Sequence, residues 1–130
     1  MRPPLIAPLL TIALVAIAAP AATRDRDRIP EAVPDGAPVS CISNHAIDGT
    51  SVRSDSVIDF EMIGHKVYRN TLPSPCPGLE SEGRFLYKTS IDQLCSVDII
   101  TVLHSPPSPP GASCGLGQFQ PVKLVKPARH

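Results

Sequence analysis

The sequence predicts an all-β domain, either a small antiparallel barrel or a two-sheet sandwich, stapled by two disulfides. Three observations carry that expectation: short segments of two-residue alternation between turn residues, no amphipathic helical periodicity, and four cysteines in a small exported chain.

The chain begins MRPPLIAPLLTIALVAIAAPAAT, with a base at Arg2, an apolar run over 5–18 and small residues through Ala22. This is the layout of a secretory signal peptide over residues 1–21, with cleavage expected after Ala21 or Ala22. A spanning helix needs about 20 apolar residues, and this run is shorter and interrupted by Pro8. No membrane insertion is therefore expected once the signal is removed. Loss of Arg2 leaves eleven basic against twelve acidic residues. A near-neutral chain offers no broad basic surface for phosphate, which argues against nucleic-acid binding.

Residues 22–38, ATRDRDRIPEAVPDGAP, are rich in charge and proline and are expected to form a flexible leader. Residues 39–125 are expected to form the domain and 126–130 a short tail. A domain of that size buries only about 60% of its unfolded surface, so its core is marginal without crosslinks. Phe60, Tyr68, Phe85, Tyr87 and Phe119 all fall inside it, and there is no tryptophan.

Cys41, Cys76, Cys95 and Cys114 supply the crosslinks. In an oxidising compartment, four cysteines read as two disulfides. Zinc ligation and thiol redox chemistry both favour C-x-x-C pairs, and here the nearest two cysteines are nineteen residues apart. No metal or cofactor is expected. Three pairings are possible in principle; a nested arrangement, Cys76 with Cys95 and Cys41 with Cys114, is preferred because Cys76 and Cys95 flank one proline-free segment. On the chain-entropy account each bridge contributes about 3 to 4.5 kcal/mol.

Proline-free windows mark the strands. In SVIDFEMI, Ile58, Phe60 and Met62 alternate with Asp59 and Glu61, and KVYRNTL over 66–72 is the natural partner. A three-residue loop at Ile63, Gly64 and His65 sets Phe60 opposite Tyr68 and Asp59 opposite Arg69. One face then carries an aromatic pair and the other an ion pair, whereas a one-residue slip loses both. Further strands are expected at 41–47, 84–88, 97–103 and 117–125, with turns at Asp48-Gly49, Gly64, Pro77-Gly78 and Gly111. Pro121 is expected at an edge or a bulge. The run PPSPP at 106–110 reads as a surface linker.

Candidate chemistry is sparse. GASCG over 111–115 fits the G-x-S-x-G pattern around Ser113, but a nucleophile elbow needs a strand turning into a helix, with an acid and then a histidine following. No Asp or Glu follows Asp98, and the last histidine is His130. Gly115-Leu116-Gly117 lacks the remainder of a dinucleotide fingerprint and reads as a site of close packing or a bulge beside Cys114. His45, His65, His104 and His130 form no metal or catalytic spacing, although His45 and Asp48 lie near enough to meet at a strand end. Asp59 and Glu61 share a strand face and read as its solvated side. Asp98 interrupts an apolar strand and is expected either to point outward at an edge or to accept backbone hydrogen bonds.

The succession Cys41, Asp55 before an alternating strand, VYRNTL, CPGL, LCSVD and Cys114 resembles a family of small exported proteobacterial four-cysteine proteins classed as a domain of unknown function. The resemblance spans about 40–124. It implies an envelope location, most naturally the periplasm or secretion, and a shared cysteine framework; it implies no activity. Where related sequences carry an aromatic residue soon after the first cysteine, this chain has Ile42 and Ser43.

The expected function is a non-catalytic binding or structural module that recognises an envelope component or another protein, with no catalytic residue assigned. The alternative is a small hydrolase or other enzyme with a site near Asp98 or His45.

Overall fold

Proline and glycine cut the chain into short strands, and the computed structural model, which describes residues 3–5, 8, 11–16, 29–89 and 91–125, contains ten of them. They are β1 (Ala32–Pro34), β2 (Cys41–Ser43), β3 (Ile47–Val52), β4 (Val57–Met62), β5 (Val67–Thr71), β6 (Phe85–Tyr87), β7 (Gln93–Cys95), β8 (Ile99–Val102), β9 (Ser113–Gly115) and β10 (Phe119–Leu124). One helical turn, α1 (Leu79–Glu82), lies between β5 and β6. The expected cleavage point, residues 22–28 of the expected leader, and the tail 126–130 with His130 lie outside the described residues.

An antiparallel five-stranded sheet in the order β1-β10-β5-β4-β3 faces two smaller antiparallel sheets, β2-β7 and β6-β8-β9. The sheets do not close into a barrel; the sandwich-like alternative is the one adopted. The core between the layers joins Ile58, Phe60 and Met62 of β4 to Ile42, Leu94, Ile100 and Val102. At its centre Phe60 meets Phe119 and Phe85 edge-on, with ring centroids 5.4 and 6.3 Å apart, a geometry that brings positive ring edges to negative ring faces.

The β4–β5 hairpin has the register that its side chains demand, with Phe60 opposite Tyr68 and Asp59 opposite Arg69. Its loop is Ile63, Gly64 and His65, closed by the Met62 amide donating to the Lys66 carbonyl. Gly64 and His65 both take positive φ, 92° and 69°, which glycine adopts without steric cost and histidine only occasionally.

Several expectations are corrected. Segment 41–47 is not one strand: β2 belongs to the small sheet, a 3₁₀ turn at Asn44–Ala46 carries the chain across, and β3 starts the edge of the large sheet. Asp48-Gly49 is not a turn but an irregularity inside β3, where the pairing shifts between Ile47 and Gly49. The stretch expected as leader contributes β1, which pairs with β10. Pro121 consequently lies in an interior strand, opposite Tyr68. Its carbonyl accepts from the Asp35 amide, so its missing N–H faces the same side, where the chain bows away between β1 and the Val39–Phe119 bridge.

The disulfides are interleaved rather than nested, Cys41 with Cys95 and Cys76 with Cys114. Cys41 and Cys95 sit directly opposite on β2 and β7, Cα atoms 4.0 Å apart. Strand β7 is only three residues long and carries no alternation that would advertise it. Cys76 is fully buried in the proline bend, its amide donating to the Asp55 carbonyl. The Asp55 carboxylate also accepts from the Glu80 amide, satisfying one orphan donor of α1. The prolines therefore shape a bend that Asp55 and one sulfur bridge hold in place.

Gly117 does mark close packing, though against Thr71 rather than beside Cys114: a Cβ there would collide with the Thr71 carbonyl oxygen. The fully buried Asn70 grips the same residue twice, its Nδ2 donating to the Gly117 carbonyl at 2.7 Å and its Oδ1 accepting from the Gly117 amide at 2.8 Å. Gly117→Ala is expected to force these backbones apart and cost about 3 kcal/mol. A urea midpoint unchanged from wild type would show that the contact relaxes freely.

Candidate functional site

Strand alternation sends Phe85, Tyr87, Ile100 and Val102 of the three-stranded sheet inward, against the core. Leu86 and Thr101 are cross-strand partners, as are Thr101 with Ser113 and Ile99 with Gly115. These residues therefore occupy the opposite, outer face. No helix or second sheet is described over it, and it is apolar: Leu86 is 46% exposed, Ile99 58% and neighbouring Val97 86%. Together with Thr101, Leu103, Pro110 and the charged Lys88 and Asp98 they line a shallow groove of about 480 Å³. Isolated exposed apolar side chains are ordinary, but a group of them lining one groove is the usual mark of a contact surface.

A second groove, of about 400 Å³, lies beside β9. Ser113, Cys114 and Gly115 form one wall, and Pro73, Pro75 and Pro77 line it from the other segment. The two grooves meet where the hydroxyls of Thr101 and Ser113 lie 3.0 Å apart. The Cys76–Cys114 bridge ties the two walls of the second groove together.

No family model matches the sequence, and no curated protein or solved structure matches the chain.

The residues weighed for chemistry do not converge. Ser113 is on a strand, not at a strand-to-helix turn, and its hydroxyl faces Thr101. His45 approaches Asp92 rather than Asp48, with Nε2 and Oδ1 3.1 Å apart on an exposed edge. Asp98 takes the hydrogen-bonding role: its carboxylate accepts from the Cys95 amide at 2.7 Å while its own amide donates to the Cys95 carbonyl, closing the turn between β7 and β8. His65 is exposed in the hairpin loop. Among the described residues no group of three His, Cys, Asp or Glu side chains is arranged to hold a metal ion.

Asp59 is the clear departure. It was expected on the solvated side of its strand beside Glu61, yet it is only 3% exposed. Arg69 donates to it through Nε at 2.8 Å and Nη2 at 3.0 Å, and Arg53 through Nε at 3.0 Å. Arg69 Nη2 also reaches the Pro30 carbonyl, so the segment leading into β1 is tied to the same cluster. The arrangement satisfies a buried carboxylate and binds the sheet edge; it presents no open catalytic geometry.

Sequence reasoning overlooked the outer face of the small sheet and the Glu82–His104 contact, where Oε1 and Nδ1 lie 2.9 Å apart. The outer face had a legible signal. VDIITVL is apolar at both parities, and a strand apolar on both faces needs a cover on each side or leaves one exposed.

Proposed function

We propose that the mature chain is a non-catalytic binding module of the cell envelope, periplasmic or secreted, which recognises a protein or other envelope component through the outer face of β6-β8-β9. The apolar groove formed by Leu86, Val97, Ile99 and Leu103 is the observation that carries this reading. Two disulfides suggest an oxidising, extracytoplasmic environment. Among the described residues no helix is long and apolar enough to cross a membrane. Leu5, Ile12, Leu14 and Val15 are exposed and take no part in the core, in keeping with a removable signal segment. Membership of the small exported four-cysteine family belongs to the same proposal and rests on the cysteine order and the VYRNTL and CPGL strings.

The test uses Ile99→Lys, which places a charge in the groove without touching the core. Binding partners captured from envelope extract by the wild-type mature domain should be lost with this variant, while its thermal midpoint stays within a few degrees. Equal capture by both proteins would remove the face from consideration.

A further inference from the structure

Beyond the apolar face, we propose that the edge of β9 is an acceptor for one extended, uncharged peptide segment, which adds to the three-stranded sheet as a fourth strand. This rests on the binding-module reading and names the partner's chemistry.

The hydrogen-bond ladder points to the free edge. The Val102 amide donates to the Ala112 carbonyl and the Leu116 amide to the Asp98 carbonyl, on either side of the Ile100–Cys114 pair. Antiparallel ladders alternate, so Cys114 turns its N–H and C=O toward β8 while Ser113 and Gly115 turn theirs away from it. Among the described residues nothing bonds those outward groups, and both residues are exposed. They are the donor–acceptor set that an incoming strand pairs with.

Comparison of the edges of the five- and three-stranded sheets singles this one out. β1 is flanked by Pro30 and ends in Pro34, β3 is distorted at Asp48, and β6 lies between Arg84 and Lys88. Proline, irregularity and charge are the ordinary means of blunting an edge. Residues 113–117, SCGLG, contain none of them. The residues lining the groove beside β9 are likewise all uncharged, which favours an uncharged segment, because an ionised side chain entering there would lose water without gaining a partner. A slot bounded by a proline wall admits one extended chain more readily than the face of a folded domain. The disulfide fixes the proline segment against β9, with Cα atoms 5.9 Å apart, so this edge is held rigid in advance, which reduces the ordering cost of binding.

A phage-displayed library of random linear peptides, selected on the immobilised mature domain, supplies the probe. Selected peptides should share an uncharged stretch. Their affinity should fall about tenfold when alternate backbone amides are N-methylated, and hardly at all for the intervening ones. Ser113→Pro removes an outward N–H without removing a ladder bond to β8, and should weaken binding by a similar factor; Ser113→Ala, which keeps the N–H, should bind as wild type. Absence of free thiols and an unchanged circular dichroism spectrum confirm that the proline variant is folded, and Gly115→Pro serves if it is not. No selected binder, a charged consensus, or indifference to N-methylation and to the proline variants would overturn the strand-acceptor assignment. Partner or peptide binding that is lost with Ile99→Lys but insensitive to Ser113→Pro would overturn it while leaving the binding-module reading intact.

Discussion

Reduction of both disulfides is expected to unfold the domain. The bridges span 54 and 38 residues, and on the chain-entropy account loops of that length each contribute about 4 kcal/mol. Together they match the net stability of a typical small domain, about 5 to 15 kcal/mol. The spans overlap, so each bridge restrains a segment that the other leaves loose. Loss of Cys41–Cys95 frees the two-stranded sheet from its only covalent tie, and loss of Cys76–Cys114 frees the proline bend from β9. Either double Cys→Ser variant should lower the unfolding free energy by about 4 kcal/mol, and the quadruple variant should lose dispersed amide resonances at room temperature. Peptide mapping of the unreduced protein should recover the Cys41–Cys95 and Cys76–Cys114 crosslinks. A quadruple variant with a native spectrum would show that packing alone suffices.

Asp59→Ala should have the next largest effect. The carboxylate is buried and accepts from both Arg53 and Arg69, whose side chains are 25% and 15% exposed. Its removal leaves two guanidinium groups close together without their shared counter-charge. Removing one partner of a buried ion pair costs about 3 to 5 kcal/mol, because the residual charge stays desolvated. Part of that should return when Arg69 is also truncated, since the second change removes the stranded charge; the double-mutant cycle measures the coupling directly. Loss of β1 protection in amide exchange should accompany Asp59→Ala, because Arg69 also holds the Pro30 carbonyl. A destabilisation below about 1 kcal/mol would mean that the cluster is effectively solvated.

The same residues show how far the fold is legible in the chain. The β4–β5 register could be read because two cross-strand pairs agreed on it and a one-residue slip spoiled both. Asp59 could be placed opposite Arg69 but not recognised as buried: Arg53 reaches it from beyond the end of β3, and the Pro30 segment joins through Arg69, neither of which alternation reports. The disulfide pairing was read wrongly for a related reason. It depends on β2 meeting β7, two three-residue strands far apart in sequence, each too short to show a period. The outer face of β6-β8-β9 lay between these cases. The residues of β6 and β8 were recognised as strand and those of β9 were not, and which parity faced the core depended on where the three-stranded sheet was laid.

Taken alone, the sequence determined the all-β class, the need for crosslinks, the turn positions at Gly64 and Pro77-Gly78, and the pairing within the central hairpin. Those properties arise from neighbours along the chain, where side-chain alternation and turn chemistry act. Only the tertiary structure decided the sandwich over the barrel, the partners of the four sulfurs, the burial of Asp59 and the open edge at β9. Each of these is a choice of distant partner, made by the packing of whole sheets around Phe60 and Phe119 rather than by any local preference.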